Sequence, residues 1–169
     1  YFDRAKQHFS GHLHTPRRPD PNGYVFGATD GAVTRLAHPV FSIYHKSGAT
    51  ALLEIIGKTV RLALGRAPMI VTDLPTAARA TLRRQADRDV LHLLYATPVQ
   101  RGTLRGDRIQ VIQDIVPLKD VSVDIEVEGA TSVRVVPEGK DLPFHASGGR
   151  VRFTLPELRG HAMIEIGRR

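Results

Sequence analysis

Cysteine and tryptophan are both absent from the 169-residue chain. Without thiols there can be no disulfide, no thiolate metal site and no cysteine nucleophile. That leaves the compartment open, with a lean towards a cytoplasmic location. Aromatic residues are scarce, at 6%, and no basic stretch alternates with stacking rings as single-strand binders require. Nucleic acid is therefore not an expected partner. No apolar run approaches the ~20 residues of a membrane span, so no membrane partner is expected either. The first residues, Tyr1-Phe2-Asp3-Arg4, include neither an initiating methionine nor the pattern of a signal peptide. The chain starts as a piece cut from a longer one would.

Charge is present in quantity but is unevenly placed. Up to Arg88 there are 13 Lys/Arg against 6 Asp/Glu, and from Asp89 onward 11 of each, so the net +7 belongs to the first half. Hydrophobic content is 41%, enough for one domain or two small ones with a real core.

Residues 1–31 are rich in His, Pro and Gly. Pro16, Pro19 and Pro21 with Asn22-Gly23 exclude a long helix there. Val33 to Tyr44 (VTRLAHPVFSIY) reads as strand, with Pro39 at an edge or break. Ala49 to Leu64 (ATALLEIIGKTVRLAL) reads as helix, with Leu52, Ile55, Ile56, Val60, Ala63 and Leu64 on one wide apolar face. Gly65 and Pro68 end it. A short strand begins at Met69. From Thr81 the period changes to two. Strands are expected near 81–85, 89–97, 109–112, 121–127, 132–136, 150–155 and 163–166, separated by turn signals such as Arg105-Gly106-Asp107 and Glu128-Gly129. Val121, Val123, Ile125 and Val127 alternate with Ser122, Asp124 and Glu126, giving one buried and one wet face. This spacing predicts a β-sandwich.

Little in this pattern carries chemistry. His8, His12 and His14 form H-x3-H-x-H, a zinc-like grouping, but Gly11 and Pro16 break the helical spacing it would need and no glutamate lies between the histidines. Polar side chains of a loop fit these residues better, and no metal or cofactor is expected. Gly23 to Gly31 (GYVFGATDG) lacks the lysine of a phosphate-binding loop and reads as turns. No G-x-S-x-G elbow occurs. His92, inside DVLHLLYAT, reads as a buried histidine with a hydrogen-bonded partner. No pair of carboxylates suggests itself for glycosidic acid/base work.

Three stretches taken in order resemble a known family: FDRAKQHFSGHLHTP (2–16), LAHPVFSIYHKSG (36–48) and RRQADRDVLHLLYATPVQRG (83–102), the last continuing into IQVIQDIVPLKDVSVDI. The chain looks like the C-terminal part of bacterial glycoside hydrolases of the family-151 α-L-fucosidase type, whose architecture is similar to that of the family-42 β-galactosidases. The resemblance implies a catalytic TIM barrel upstream, then an amidotransferase-like α/β domain used for oligomerisation, then a closing β-sandwich. On that basis residues 1–78 are expected to be the end of a Rossmann-like, amidotransferase-like α/β layer, and 79–169 the C-terminal β-sandwich. An eight-fold barrel, which needs roughly 200 residues or more, has no room here.

The expected role is then non-catalytic assembly within a carbohydrate-active hydrolase. Its partners would be the upstream catalytic domain, further copies of the same chain and the parent enzyme's carbohydrate substrate. His12, His14 and Arg17 are the expected rim-of-site or subunit contacts, with no catalytic residue among them. Two rivals stay open. One is a stand-alone carbohydrate-binding sandwich, which calls for an exposed aromatic platform from Tyr95, Phe144 or Phe153. The other is a small metal protein using His8, His12 and His14.

Overall fold

A computed structural model describes residues 25–31 and 33–169. Two compact units divide the chain, residues 1–68 and 69–169.

In the described part of the first unit, β1 (Gly27–Asp30) and β2 (Val33–Leu36) form an antiparallel hairpin with Gly27 opposite Leu36 and Asp30 opposite Val33. Helix α1 (Val40–Ser47) and helix α2 (Thr50–Leu64) follow. Each ends on a glycine in the left-handed region, where a side chain would be strained. Gly48 donates its N–H to Tyr44 O at 2.7 Å, and Gly65 donates to Arg61 O at 3.3 Å. The expected helix after Ala49 is therefore present. The expected strand over 33–44 is corrected: it stops at Leu36 and gives way to α1. Pro39 sits at the N-cap of α1, where its fixed φ and missing N–H cost nothing, so it starts a helix instead of interrupting a strand. The described residues of this unit hold no β–α–β crossover, and the expected α/β layer is not seen in them.

The second unit is a sandwich of two antiparallel sheets. Its strands are β3 (Ile70–Thr72), β4 (Arg79–Arg84), β5 (Arg88–Leu94), β6 (Val99–Leu104), β7 (Asp107–Val111), β8 (Leu118–Glu126), β9 (Ala130–Val136), β10 (Lys140–Asp141), β11 (Phe144–Ser147), β12 (Arg150–Leu158) and β13 (His161–Arg168). One sheet has the order β10-β9-β13-β5-β4 and the other β11-β12-β8-β3. Strand β3, grouped by sequence with the first segment, pairs with β8.

Alternation drives this assembly. Val121, Val123 and Ile125 of β8, with Val151, Phe153 and Leu155 of β12, are buried. They share one core with Leu91 and Leu93 of β5, Val133 of β9, and Ile164 and Ile166 of β13. Each strand thus gives one face to the core and the other to water.

His92 corrects another expectation. Asp89, Leu91 and Leu93 are the inward residues of β5, so His92 lies on the outer face, only partly covered.

Strands β6 and β7 pair only with each other in a separate hairpin. Arg105 and Gly106, both at positive φ, supply the turn that matches strand twist. Every residue of both strands is exposed, including Val99, Leu104, Ile109 and Val111.

Candidate functional site

His8, His12, His14 and Arg17 lie outside the described residues. Of the other sequence candidates, Gly27 to Gly31 form β1 and its turn. Among the described residues no group of three or more His, Cys, Asp or Glu could hold a metal ion. No described helix is long and apolar enough to cross a membrane.

A depression on the outer face of the four-stranded sheet measures about 670 Å³. Strand register builds it. His145 on β11 is opposite Arg152 on β12, Arg152 is opposite Asp124 on β8, and Asp124 is opposite Val71 on β3. One step along, Thr154 is opposite Ser122. The Ser122 backbone N–H donates to Asp73 Oδ1 at 2.9 Å. Because side chains on one face of neighbouring strands stand close together, the polar ones among these residues form a continuous floor, with Val71 at its edge.

Asp124 organises the floor. Arg150 Nε donates to Asp124 Oδ1 at 2.5 Å, and Arg152 Nε donates to Oδ2 at 2.8 Å. Arg150 also donates through Nη2 to the Asp124 backbone carbonyl at 3.1 Å. The hydrogen bond from Arg152, joined by that from Arg150 and by both positive charges, holds the Asp124 carboxyl below its ordinary value against the opposing effect of burial. A depressed folded pKa stabilises the fold above the unfolded pKa, and that stability drains away as pH falls below about 4. Asp124→Asn is therefore expected to unfold more readily than the parent chain at pH 7, with the gap narrowing towards pH 3. Urea titrations at the two pH values measure this, and a gap of constant size contradicts it.

Among the described residues, the other carboxylate with a resolved shift, Glu157, is also lowered, by hydrogen bonds from Lys119 and then Arg159. A general acid for glycoside cleavage needs the opposite, a carboxyl held protonated by a raised pKa. Both groups are fixed as anions inside ion pairs.

The outer face of the five-stranded sheet carries a second grouping. His92 Nδ1 and His161 Nε2 are 3.2 Å apart, with the two rings nearly parallel and their centroids 5.4 Å apart. Half-covered Val90, Val136 and Met163 lie beside them. His92 thus has a hydrogen-bonded partner, as expected, although on the wet side of the sheet. The exposed aromatic platform of a stacking sugar binder is not present among the described residues of this unit. Phe153 is in the core, Tyr95 is partly covered, and only Phe144 is exposed, at 37%.

No family model matches the chain, and no curated protein does. Among solved structures, the chain is similar to alpha-L-fucosidase isoenzyme 2 from Paenibacillus thiaminolyticus. The identity is 32% with a TM-score of 0.84, over 100% of this chain and 26% of that one. The chain thus spans about a quarter of that enzyme's length. The resemblance to an α-L-fucosidase drawn from the sequence stands: the whole chain is similar to a part of such an enzyme.

Proposed function

We propose that this chain is a non-catalytic C-terminal assembly region of a glycoside hydrolase whose substrates carry α-L-fucose. The carrying observation is its similarity, along its whole length, to about a quarter of an α-L-fucosidase. Three features support the reading. The chain is too short for a barrel of roughly 200 residues or more. The two shifted carboxylates among its described residues are locked as anions. The β6–β7 hairpin exposes Leu104 at 64%, with Ile109 and Val111 also open, the kind of apolar edge that marks an interaction surface. In this reading the first segment, with His12, His14 and Arg17, faces the upstream catalytic domain or a neighbouring subunit.

The test is made on the parent enzyme. Removing these 169 residues is expected to lower its oligomeric state by light scattering, and Leu104→Lys combined with Ile109→Lys is expected to weaken assembly in the same direction. Both sites are exposed, so the sandwich itself tolerates the changes. A truncated enzyme that remains fully assembled and active sinks the proposal.

A further inference from the structure

We infer that the outer face of the four-stranded sheet is a carbohydrate contact site, in which Asp124 and Arg152 hold neighbouring hydroxyls of one neutral sugar residue. The inference rests on the glycoside-hydrolase reading for the class of glycan available, and on the geometry of the face for everything else.

The first argument is unused hydrogen-bonding capacity. Arg152 spends its Nε on Asp124. Its terminal nitrogens make no hydrogen bond among the described residues, and the side chain is 62% exposed. A carboxylate has about four acceptor sites, and the Asp124 side chain receives one bond on each oxygen. The hydroxyls of Ser122 and Thr154 and the His145 ring line the same depression. Fixed donors and acceptors therefore alternate over a few ångströms, which suits vicinal hydroxyls that must both give and receive hydrogen bonds.

The second argument is rigidity. Arg150, 19% exposed, clamps Asp124 from the β12 side with two bonds. The Asp124–Arg152 pair is thus already oriented before any ligand arrives, which limits the ordering cost of binding.

Charge decides between a polyol and an anion. Arg150 and Arg152 are balanced by Asp124 and by Glu126, which lies opposite Arg150 in register. The face therefore has no cationic excess to draw in a phosphate or a sulfate. One apolar surface, Val71, borders the floor and suits the C–H face of a sugar ring. With one small apolar neighbour and no aromatic platform, the expected affinity is modest, with a Kd on the order of millimolar.

The experiment is a titration of the 169-residue chain, followed by NMR of its backbone amides and arginine Nε–H groups. Methyl α-L-fucopyranoside and methyl β-D-galactopyranoside are the sugar probes, and inorganic phosphate is the control. At least one sugar is expected to give saturable shifts confined to Ser122, Asp124, Phe144, His145, Arg152 and Thr154. Arg152→Met and Thr154→Val, both at exposed positions of β12, are each expected to weaken binding roughly tenfold. Thr154→Val leaves the Asp124 ion pairs intact, so its effect reads contact and not folding. The inference is overturned by the absence of localised shifts with either sugar, by binding that both variants retain in full, or by phosphate outcompeting the sugars. None of these outcomes touches the assembly proposal, which is read from the oligomeric state of the parent enzyme.

Discussion

Ile164→Ala is expected to cost about 3 kcal/mol of stability, within the usual range for truncating a buried Ile or Leu. Ile164 is fully buried on β13, the central strand of the five-stranded sheet, opposite Leu91 on one side and Val135 on the other. Backbone hydrogen bonds to β5 and β9 hold β13 in place, so the strand cannot sink into the space that three lost carbons leave. The vacated volume stays a cavity, and its cost adds to the lost transfer energy. For a unit of about 100 residues each kcal/mol shifts the melting temperature by roughly 4–8 °C, so a drop of about 12–24 °C is expected by calorimetry. Val71→Ala is the comparison. It removes carbons from a side chain on the wet face of β3 that is 45% exposed, and should change stability by about 0.5 kcal/mol or less. Equal losses for the two variants would show that the inner and outer faces have been wrongly assigned.

The sandwich was legible because the residues from Val121 to Val127 alternate without a break, and because glycine turns separate the strands at short intervals. Each strand expected from Thr81 onward is present, within a few residues at its ends. Strand β6 was not legible. VQRGTL has two large apolar residues in six, and its only partner is β7, so nothing local distinguishes it from loop. The segment from Val33 to Tyr44 misled for a different reason. Its β-branched and aromatic residues favour strand in the abstract, but Pro39 suits the first turn of a helix, and that local geometry decides the outcome.

The candidate site shows where reading a sequence stops. Alternation alone put Ser122, Asp124 and Glu126 on a wet face. It could not show that Arg150, Arg152 and His145, on strands later in the chain, become their neighbours, because that follows from which strand pairs with which and in what register. The same limit applies to His92. In DVLHLLYAT nearly every position is apolar, so both phases of the two-residue period look alike. The polar residue that stays outside is His92, and the one that goes in is Asp89.

That inward aspartate makes Arg168 a sensitive position, and Arg168→Met is expected to cost about 3 kcal/mol, as breaking a buried ion pair does. The Asp89 side chain is 0% exposed. Arg84 Nε donates to its Oδ1 at 3.3 Å, and Arg168 Nη2 is 3.6 Å from the same oxygen. Its Oδ2 has no hydrogen-bond partner. Arg84 is 59% exposed and Arg168 only 20%, so Arg168 is the cation less screened by water and the one that offsets more of the buried charge. Arg168 Nη2 also donates to the Gln85 carbonyl, which joins the end of β13 to the β4–β5 turn. Removing it leaves a buried anion with one partner, Arg84, whose side chain lies mostly in water. The double variant Asp89→Leu with Arg168→Met removes both charges together and fills the space with apolar carbon, which is often close to neutral. Its loss should therefore be clearly smaller than that of Arg168→Met alone. Chemical denaturation of the parent, both single variants and the double gives the coupling energy directly. If the double variant loses the sum of the two single losses, Asp89 and Arg168 act independently, and the stabilising role of their ion pair is wrong.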